Sequence, residues 1–306
     1  MIEINRILCP IDFSEYSDHA LEYAVKMGAW FRASVHVLHV MPPLPSSTTS
    51  PLSEASRQLT LKNLTAAVDR RRLPNVTIEQ ELIESAAPAS RIIQRAEALQ
   101  AELIITGSHG RTGMSRALLG SVVESLLHQS AIPVLVIPSH LTPERLRRPV
   151  VFNRIICGVD FAAASITAIG YALAIAEESD ARLMLLNVIE TPPELQHPPT
   201  GPDYDVDRVR AEAEATQLTK LRALVPDDAR NYCIVQTAVM EGGASRQLLR
   251  VADSSDADLI VLGVHGRNKL DLAIFGSNSK DIVTRASCPV LVVPAGPHHS
   301  SLRVAS

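Results

Sequence analysis

Two loops of the chain share a glycine spacing that could hold a phosphate group. The first reads GSHGRTGMSRALLGS at positions 107–121 and the second GVHGRNKLDLAIFGS at positions 263–277. Glycine adopts backbone angles forbidden to other residues and carries no β-carbon, so backbone N–H groups can close around an anion. The final Gly-Ser precedes a predicted helix, whose first N–H groups favour phosphate. We therefore predict a phosphate-binding loop in each half.

The alternative is that these glycines only form turns before an ordinary helix, which is the commoner meaning of a single G-x-x-G. Two copies with the same spacing, each after an apolar strand, favour the phosphate site. Neither loop is a Walker loop, because no G-K-[ST] follows, and neither is the dinucleotide motif G-x-G-x-x-G. Without a dedicated catalytic lysine, such a loop favours holding a nucleotide over transferring its phosphate.

Strand-like and helix-like segments alternate along both halves, in the same order. In the first half the apolar runs are RILCPI, SVHVLHVM, TIEQELIE, ELIITG and PVLVIP; in the second they are RIICGVD, RLMLLNVI, YCIVQTAVM, DLIVLGV and PVLVVP. Strands that alternate with helices predict parallel β-α-β units. The polar, proline-marked segment SHLTPERLRRPVVFN separates the copies, so we expect domains at residues 1–140 and 152–296.

Composition excludes several classes of protein. With 46% hydrophobic but only 4% aromatic residues, the core must be aliphatic, as in buried parallel sheets. Mixed charges and a net charge of -4 argue against nucleic acid as a partner. We expect no membrane span or signal peptide, and a cytoplasmic protein. The four cysteines lack ligand spacing and are predicted to be buried thiols, and the histidines show no metal-ligand pattern.

With these loops and runs the chain resembles a tandem universal stress protein. The ATP-binding motif of that family, G-x-x-G, nine residues and G-[ST], matches both loops, and its first-strand Asp matches Asp12 in CPIDFSEYS and Asp160 in CGVDFAAAS. The resemblance implies an α/β fold with two tandem Rossmann-like domains, each a five-stranded parallel sheet flanked by helices. It also implies ATP as the cofactor, with or without Mg²⁺.

By the same resemblance, Asp12 lies near the nucleoside, the second strand offers backbone groups to adenine, and the loop binds the phosphates. The alternative for Asp12 is a cap on the following helix. We expect no catalytic or metal-binding residues. The residues implied for the nucleotide are Pro10, Asp12, Val40, Gly107, Ser108, His109, Gly110, Arg111, Thr112, Gly113, Gly120, Ser121 and Val122 in the first half, and Gly158, Asp160, Val188, Gly263, Val264, His265, Gly266, Arg267, Asn268, Gly276, Ser277 and Asn278 in the second.

The two copies differ at positions that bear on binding. His109 and its counterpart His265 could donate to a phosphate or could only fix the shape of the loop. The second loop has Lys269 in place of Gly113, and Ala162 replaces Ser14 beside the aspartate. We therefore expect two sites of unequal affinity.

The resemblance implies an ATP-binding, non-catalytic regulator of the stress response. One alternative is a slow ATPase or a nucleotidyl-transfer enzyme, although no general base or carboxylate cluster for Mg²⁺ is visible. The other is an adaptor that has lost nucleotide binding, against which the two intact motifs argue.

The last strand of each copy predicts how the copies assemble. By resemblance, PVLVIP and PVLVVP lie at a sheet edge, where unpaired N–H and C=O groups invite another strand. We expect Val134–Ile137 to lie against Val290–Val293, which would make an intramolecular pseudo-dimer, with further association into a homodimer left open.

Overall fold

The computed structural model of the chain describes residues 2–43, 51–110, 119–142, 144–145, 148–190, 206–264 and 276–295. Strands and helices alternate along both halves. The first half forms strands β1 (Arg6–Pro10), β2 (Ser34–Met41), β3 (Ile78–Glu84), β4 (Leu103–Gly107) and β5 (Val134–Ile137), and helices α1 (Glu15–Phe31), α2 (Pro51–Arg71), α3 (Pro88–Ala98) and α4 (Ser121–Gln129).

The second half repeats this order. It forms strands β6 (Arg154–Gly158), β7 (Arg182–Ile189), β8 (Ile234–Glu241), β9 (Leu259–Val264) and β10 (Val290–Pro294), helices α5 (Ala163–Ser179), α6 (Val206–Ala223), α7 (Ala244–Ser254) and α8 (Ser277–Arg285), and a 3₁₀ turn at Asp228–Asn231.

The strands lie in one sheet in the order β3-β2-β1-β4-β5-β10-β9-β6-β7-β8. All pairs within a half are parallel, and β5 and β10 pair antiparallel. The predicted α/β fold with two Rossmann-like domains is confirmed. In each half the chain moves outward from the first strand on one side and returns on its other side, which places a crevice at the carboxyl ends of β1 and β4, where ligands bind in open α/β sheets.

The pairing of β5 with β10 has an approximate twofold axis. Gly107 and Gly263 are equivalent in the two loops, and 263 − 107 gives an offset of 156 residues. The strand register pairs Leu135 with Leu291, which are separated by the same offset. Equivalent residues therefore face each other, and the axis passes between these two leucines.

Two apolar cores cover the two faces of the sheet, and both continue from one half into the other. Alternate residues of each strand point to opposite faces, so Ile7 and Ile155 belong to one core and Leu8 and Ile156 to the other. Phe152 precedes β6, yet its ring lies 5.5 Å from that of Trp30 on α1. The halves consequently share their interior.

The segment between the halves is held against the second half. Arg145 and Arg148 place guanidinium nitrogens 2.7 and 2.9 Å from the two carboxylate oxygens of Asp256. Arg145 also donates to the carbonyl of Ala257, at 2.8 Å. Asp256 lies in the turn between α7 and β9 and has a left-handed φ of 50°. These bonds fix the connecting segment to that turn.

The cysteine prediction is confirmed: Cys9, Cys157, Cys233 and Cys288 are all buried and free. Burial raises the pKa of the Cys288 thiol to about 12, so this thiol stays protonated at neutral pH. In the described part of the chain, every helix is too short or too polar to cross a bilayer.

Candidate functional site

A cavity of about 430 Å³ opens at the carboxyl ends of β1 and β4 in the first half. Its volume falls in the range of roughly 300–1,000 Å³ that is typical of small-molecule sites. Strand ends form its floor, and the starts of α3 and α4 form its rim. Its lining consists of Pro10, Ile11, Asp12, Ser17, Leu38, Val40, Pro42, Pro88, Ile92, Thr106, Gly107, His109, Gly110, Gly120, Ser121, Val122 and Val123. The structure thus brings together most of the residues expected in the first half.

The Asp12 carboxylate is held in place by Ser14. Its Oδ1 atom accepts hydrogen bonds from the Ser14 backbone N–H at 3.0 Å and from the Ser14 hydroxyl at 2.6 Å. Ser14 is also the N-cap residue of α1, because its side chain accepts from the N–H of Ser17. The capping role considered for Asp12 therefore belongs to Ser14. Asp12 lines the cavity with its position fixed.

The residue that follows the aspartate adopts an unusual backbone conformation in both halves. Phe13 and its counterpart Phe161 have φ angles of 65° and 64°. Bulky residues seldom adopt this left-handed region, and each instance costs on the order of 1–3 kcal/mol. Such strain persists only where the surroundings enforce it, and here it occurs next to the aspartate of each copy.

A buried side chain on the second strand of each half supports this turn. His39 Nδ1 donates to the Ile11 carbonyl at 2.7 Å, and the His39 ring lies 4.5 Å from that of Phe13. In the second half, Asn187 Nδ2 donates to the Val159 carbonyl at 2.8 Å. Sequence reasoning missed both residues. The available signal was a hydrogen-bonding residue at the same position near the end of two mainly apolar runs.

The first glycine of each loop is required by helix packing. A β-carbon on Gly107 would lie 2.8 Å from the Tyr16 carbonyl carbon, and one on Gly263 would lie 2.3 Å from that of Ala164. Among the described glycines, only Gly242 has a positive φ. The expectation that Gly107 and Gly110 use backbone angles forbidden to other residues is therefore wrong. The backbone of Tyr16 leaves no room for a β-carbon at Gly107, and at Gly110 a β-carbon would press on the Asp12 side chain.

The start of α4 presents backbone N–H groups to the cavity. Gly120 is its N-cap residue and makes no side-chain capping bond, and its own N–H donates to the Ser108 carbonyl at 2.9 Å. The first intrahelical donor is Glu124, which bonds to the Gly120 carbonyl at 2.9 Å. The N–H groups of residues 121–123 precede it, so they have no acceptor within the helix, and all three residues line the cavity. With the positive end of the helix dipole they can bind an anion.

Ser108 lies behind the cavity and holds the loop. Its hydroxyl accepts from the Ser139 backbone N–H at 2.9 Å and lies 2.9 Å from His109 Nδ1. In the described residues, the buried Nε2 atom of His109 has no hydrogen-bond partner. The contact with Ser108 fits a role of His109 in fixing the shape of the loop, and donation to a phosphate stays a prediction.

The second half places its predicted residues at the carboxyl ends of its own strands, and in the described residues fewer bonds support its aspartate. From the described residues, Asp160 accepts the backbone N–H of Ala162 at 3.0 Å but no hydroxyl, since Ala162 has none. A β-carbon on Gly158 would lie 2.7 Å from Leu248 Cδ1. The remaining described positions are strand ends and the start of α8: Val188, Gly263, Val264, Gly276, Ser277 and Asn278.

Several predicted residues lie outside the described part of the chain, namely Arg111, Thr112, Gly113, His265, Gly266, Arg267 and Asn268. Where side chains are described, no group of three or more His, Cys, Asp or Glu residues could hold a metal ion.

The family model described as universal stress protein family matches residues 3–138 and, a second time, residues 152–294. The chain belongs to the universal stress protein family. The tandem resemblance seen in the sequence is thereby confirmed.

Relatives of this universal stress protein share its tandem length. One from Mycolicibacterium smegmatis is 25% identical over 298 residues, which covers 94% of this chain and 96% of the relative. One from Mycobacterium tuberculosis is 27% identical over 303 residues, with the same coverage of 94% and 96%. A universal stress protein structure from Archaeoglobus fulgidus superposes with a TM-score of 0.68 at 21% identity, over 96% of this chain and 100% of that one, which shows the shared fold.

Proposed function

We propose that this universal stress protein binds ATP in its first half and acts as a non-catalytic, nucleotide-dependent regulator of the stress response. One observation carries the proposal: a single cavity contains both the Asp12 carboxylate and the N–H groups at the start of α4 that have no acceptor within the helix. An adenine nucleotide offers matching chemistry, because its phosphates accept hydrogen bonds and its nucleoside donates them.

Each part of the nucleotide has a complementary surface. Residues 121–123 would bind phosphate oxygens through their N–H groups. The Asp12 carboxylate would accept a hydrogen bond from a ribose hydroxyl or from the adenine amino group. Leu38, Val40 and Ile92 give the cavity apolar walls that suit the faces of a purine. In the second half, Asp160 and the loop from Gly263 to Ser277 would bind the same ligand more weakly, because Ala162 cannot support the aspartate as Ser14 does.

The lining favours binding over turnover. Among its described residues, Asp12 is the only carboxylate, so this part of the lining offers no second carboxylate with which to hold a catalytic Mg²⁺. Any Mg²⁺ would enter with the phosphates of ATP, which hold it in many nucleotide sites.

The proposal also includes an intramolecular pseudo-dimer, which the antiparallel register of β5 and β10 supports. In this arrangement the two nucleotide sites belong to opposite halves of one sheet. Association of two chains into a homodimer would then require another surface, because β5 and β10 already pair with each other.

The test combines ligand identification, binding and turnover. Nucleotide released from freshly purified protein is identified by mass spectrometry, and calorimetry then measures ATP affinity in the parent, in Asp12→Asn and in the matched Asp160→Asn. We expect ATP in the first assay and a larger loss of affinity from Asp12→Asn. Multiple turnovers with added Mg²⁺ would instead support the enzyme. No binding of ATP, ADP or AMP would support the adaptor.

A further inference from the structure

One ion pair joins the two halves at equivalent positions. Lys280 Nζ lies 2.5 Å from Glu124 Oε1, and 280 − 124 gives the same offset of 156 residues that relates the two loops. Each residue belongs to the first turns of the helix that follows a glycine loop, α4 or α8. The pair therefore lies across the same twofold axis as Leu135 and Leu291.

The paired strands themselves distinguish poorly between like and unlike domains. The register joins Val136 to Val290, Leu135 to Leu291 and Val134 to Val292. Both edges present the same sequence, Val-Leu-Val, so the backbone and apolar contacts would be nearly the same if two first domains or two second domains met. Any selection must come from side chains that differ between the copies.

Glu124 and Lys280 differ in charge, and symmetry makes that difference selective. In an isologous pairing of identical domains, each residue on the axis meets its own copy. Two first domains would oppose Glu124 to Glu124, and two second domains would oppose Lys280 to Lys280. Only a first domain paired with a second domain brings opposite charges together.

We propose that Glu124 and Lys280 make the paired sheet edge selective. The β5 strand of a first domain pairs with the β10 strand of a second domain in preference to the β5 strand of another first domain. The inference rests on the pseudo-dimer proposed above and does not require bound nucleotide. The hydrogen bond from Lys280 lowers the pKa of the Glu124 carboxyl, which keeps this side of the pair charged at neutral pH.

The full-length protein allows a direct test by charge reversal. Glu124→Lys opposes two lysines, as a pair of second domains would, and Lys280→Glu opposes two glutamates, as a pair of first domains would. The double variant Glu124→Lys/Lys280→Glu restores opposite charges in reversed order. Hydrogen exchange of the amides in β5 and β10 reports how readily the edge opens. Glu212→Lys, on the exposed face of α6, is a matched control for the change in net charge that Glu124→Lys makes.

We expect each single reversal to speed exchange of both strands about 1.4- to fivefold, because exposed ion pairs contribute roughly 0.2–1 kcal/mol. The double variant and the control should exchange at the parent rate. In 1 M salt the differences should shrink, since the screening length there is about 3 Å. If the double variant exchanges as fast as the two single effects combined, the ion pair selects nothing. Fast exchange of both strands in the parent would instead overturn the proposed pairing itself.

Discussion

A carboxylate oxygen of Asp12 lies directly beside Gly110, where a β-carbon on residue 110 would come within 2.6 Å of Oδ2. The aspartate follows β1 and the glycine follows β4, and these strands are neighbours in the sheet. The contact joins the two sequence motifs into one unit, so the position of the carboxylate depends on the second glycine of the loop.

Gly110→Ala should therefore weaken ATP binding by about tenfold, because the added methyl group must displace either the carboxylate or the loop, and overpacking of this kind costs on the order of 1–3 kcal/mol. Calorimetry measures the change. Gly243→Ala is the control, since a β-carbon there meets no atom within 4 Å. A folded Gly110→Ala protein with the parent affinity would show that Asp12 and the loop bind nothing together.

Ser14→Ala and Ala162→Ser should have opposite effects on stability. Both positions are helix N-caps with nearly the same backbone angles, φ -74° and ψ 160° at Ser14 and φ -74° and ψ 159° at Ala162. Losing or gaining a serine cap changes the free energy of unfolding by about 1 kcal/mol. Urea denaturation of each variant checks the sign.

The same two variants also test whether a serine hydroxyl at the N-cap stabilises the neighbouring aspartate for ATP binding. Ser14→Ala should lower ATP affinity, because Asp12 loses the hydroxyl that bonds to it at 2.6 Å. Ala162→Ser should raise the affinity of the second half. Equal affinities in the parent and both variants would contradict this account of why the two sites differ.

At position 39, asparagine should be tolerated better than leucine. Asn187 already makes the equivalent bond in the second half, so His39→Asn can keep a donor for the Ile11 carbonyl. His39→Leu leaves that buried carbonyl without its His39 donor, at a cost of about 1–3 kcal/mol. Both variants lose the ring contact with Phe13, so this loss cancels when their stabilities are compared. Urea midpoints that rank leucine at or above asparagine would refute the role assigned to this bond.

Acid should weaken the bonds that hold the connecting segment. A hydrogen bond from Arg148, with the charges of Arg145 and Arg154, lowers the pKa of the Asp256 carboxyl from 3.8. A carboxyl with a lowered folded-state pKa adds stability above its unfolded pKa and loses it as pH falls through the folded value. The parent should thus exceed Asp256→Asn in unfolding free energy at pH 5–7, and the gap should close below pH 3.8.

Asp256 is 43% exposed, so the gap should be modest, on the order of 1 kcal/mol. Thermal unfolding of both proteins across this pH range measures it. A gap that stays constant down to pH 2 would mean that the carboxylate charge does not hold the segment.

The sequence was sufficient for the repeated strand and helix order and for the position of the glycine loops, because both depend on local patterns. It could not show that Gly107 is required by Tyr16, since that contact arises only when α1 packs on β4. Nor could it show the bond between Arg145 and Asp256, which are 111 residues apart. The buried donors His39 and Asn187 were visible as residues, but their role depends on which carbonyl the neighbouring strand presents.

The two apolar cores, each shared by both halves of the sheet, determine how the protein unfolds on heating. If one half unfolded alone, it would expose the apolar groups that it shares with the other, including the rings of Trp30 and Phe152. The halves therefore stabilise each other, and partly unfolded chains are costly. On heating, the chain should lose its structure in one cooperative transition, with an unfolding enthalpy that scales with both repeats together, in contrast to the two separate transitions of domains joined only by a tether.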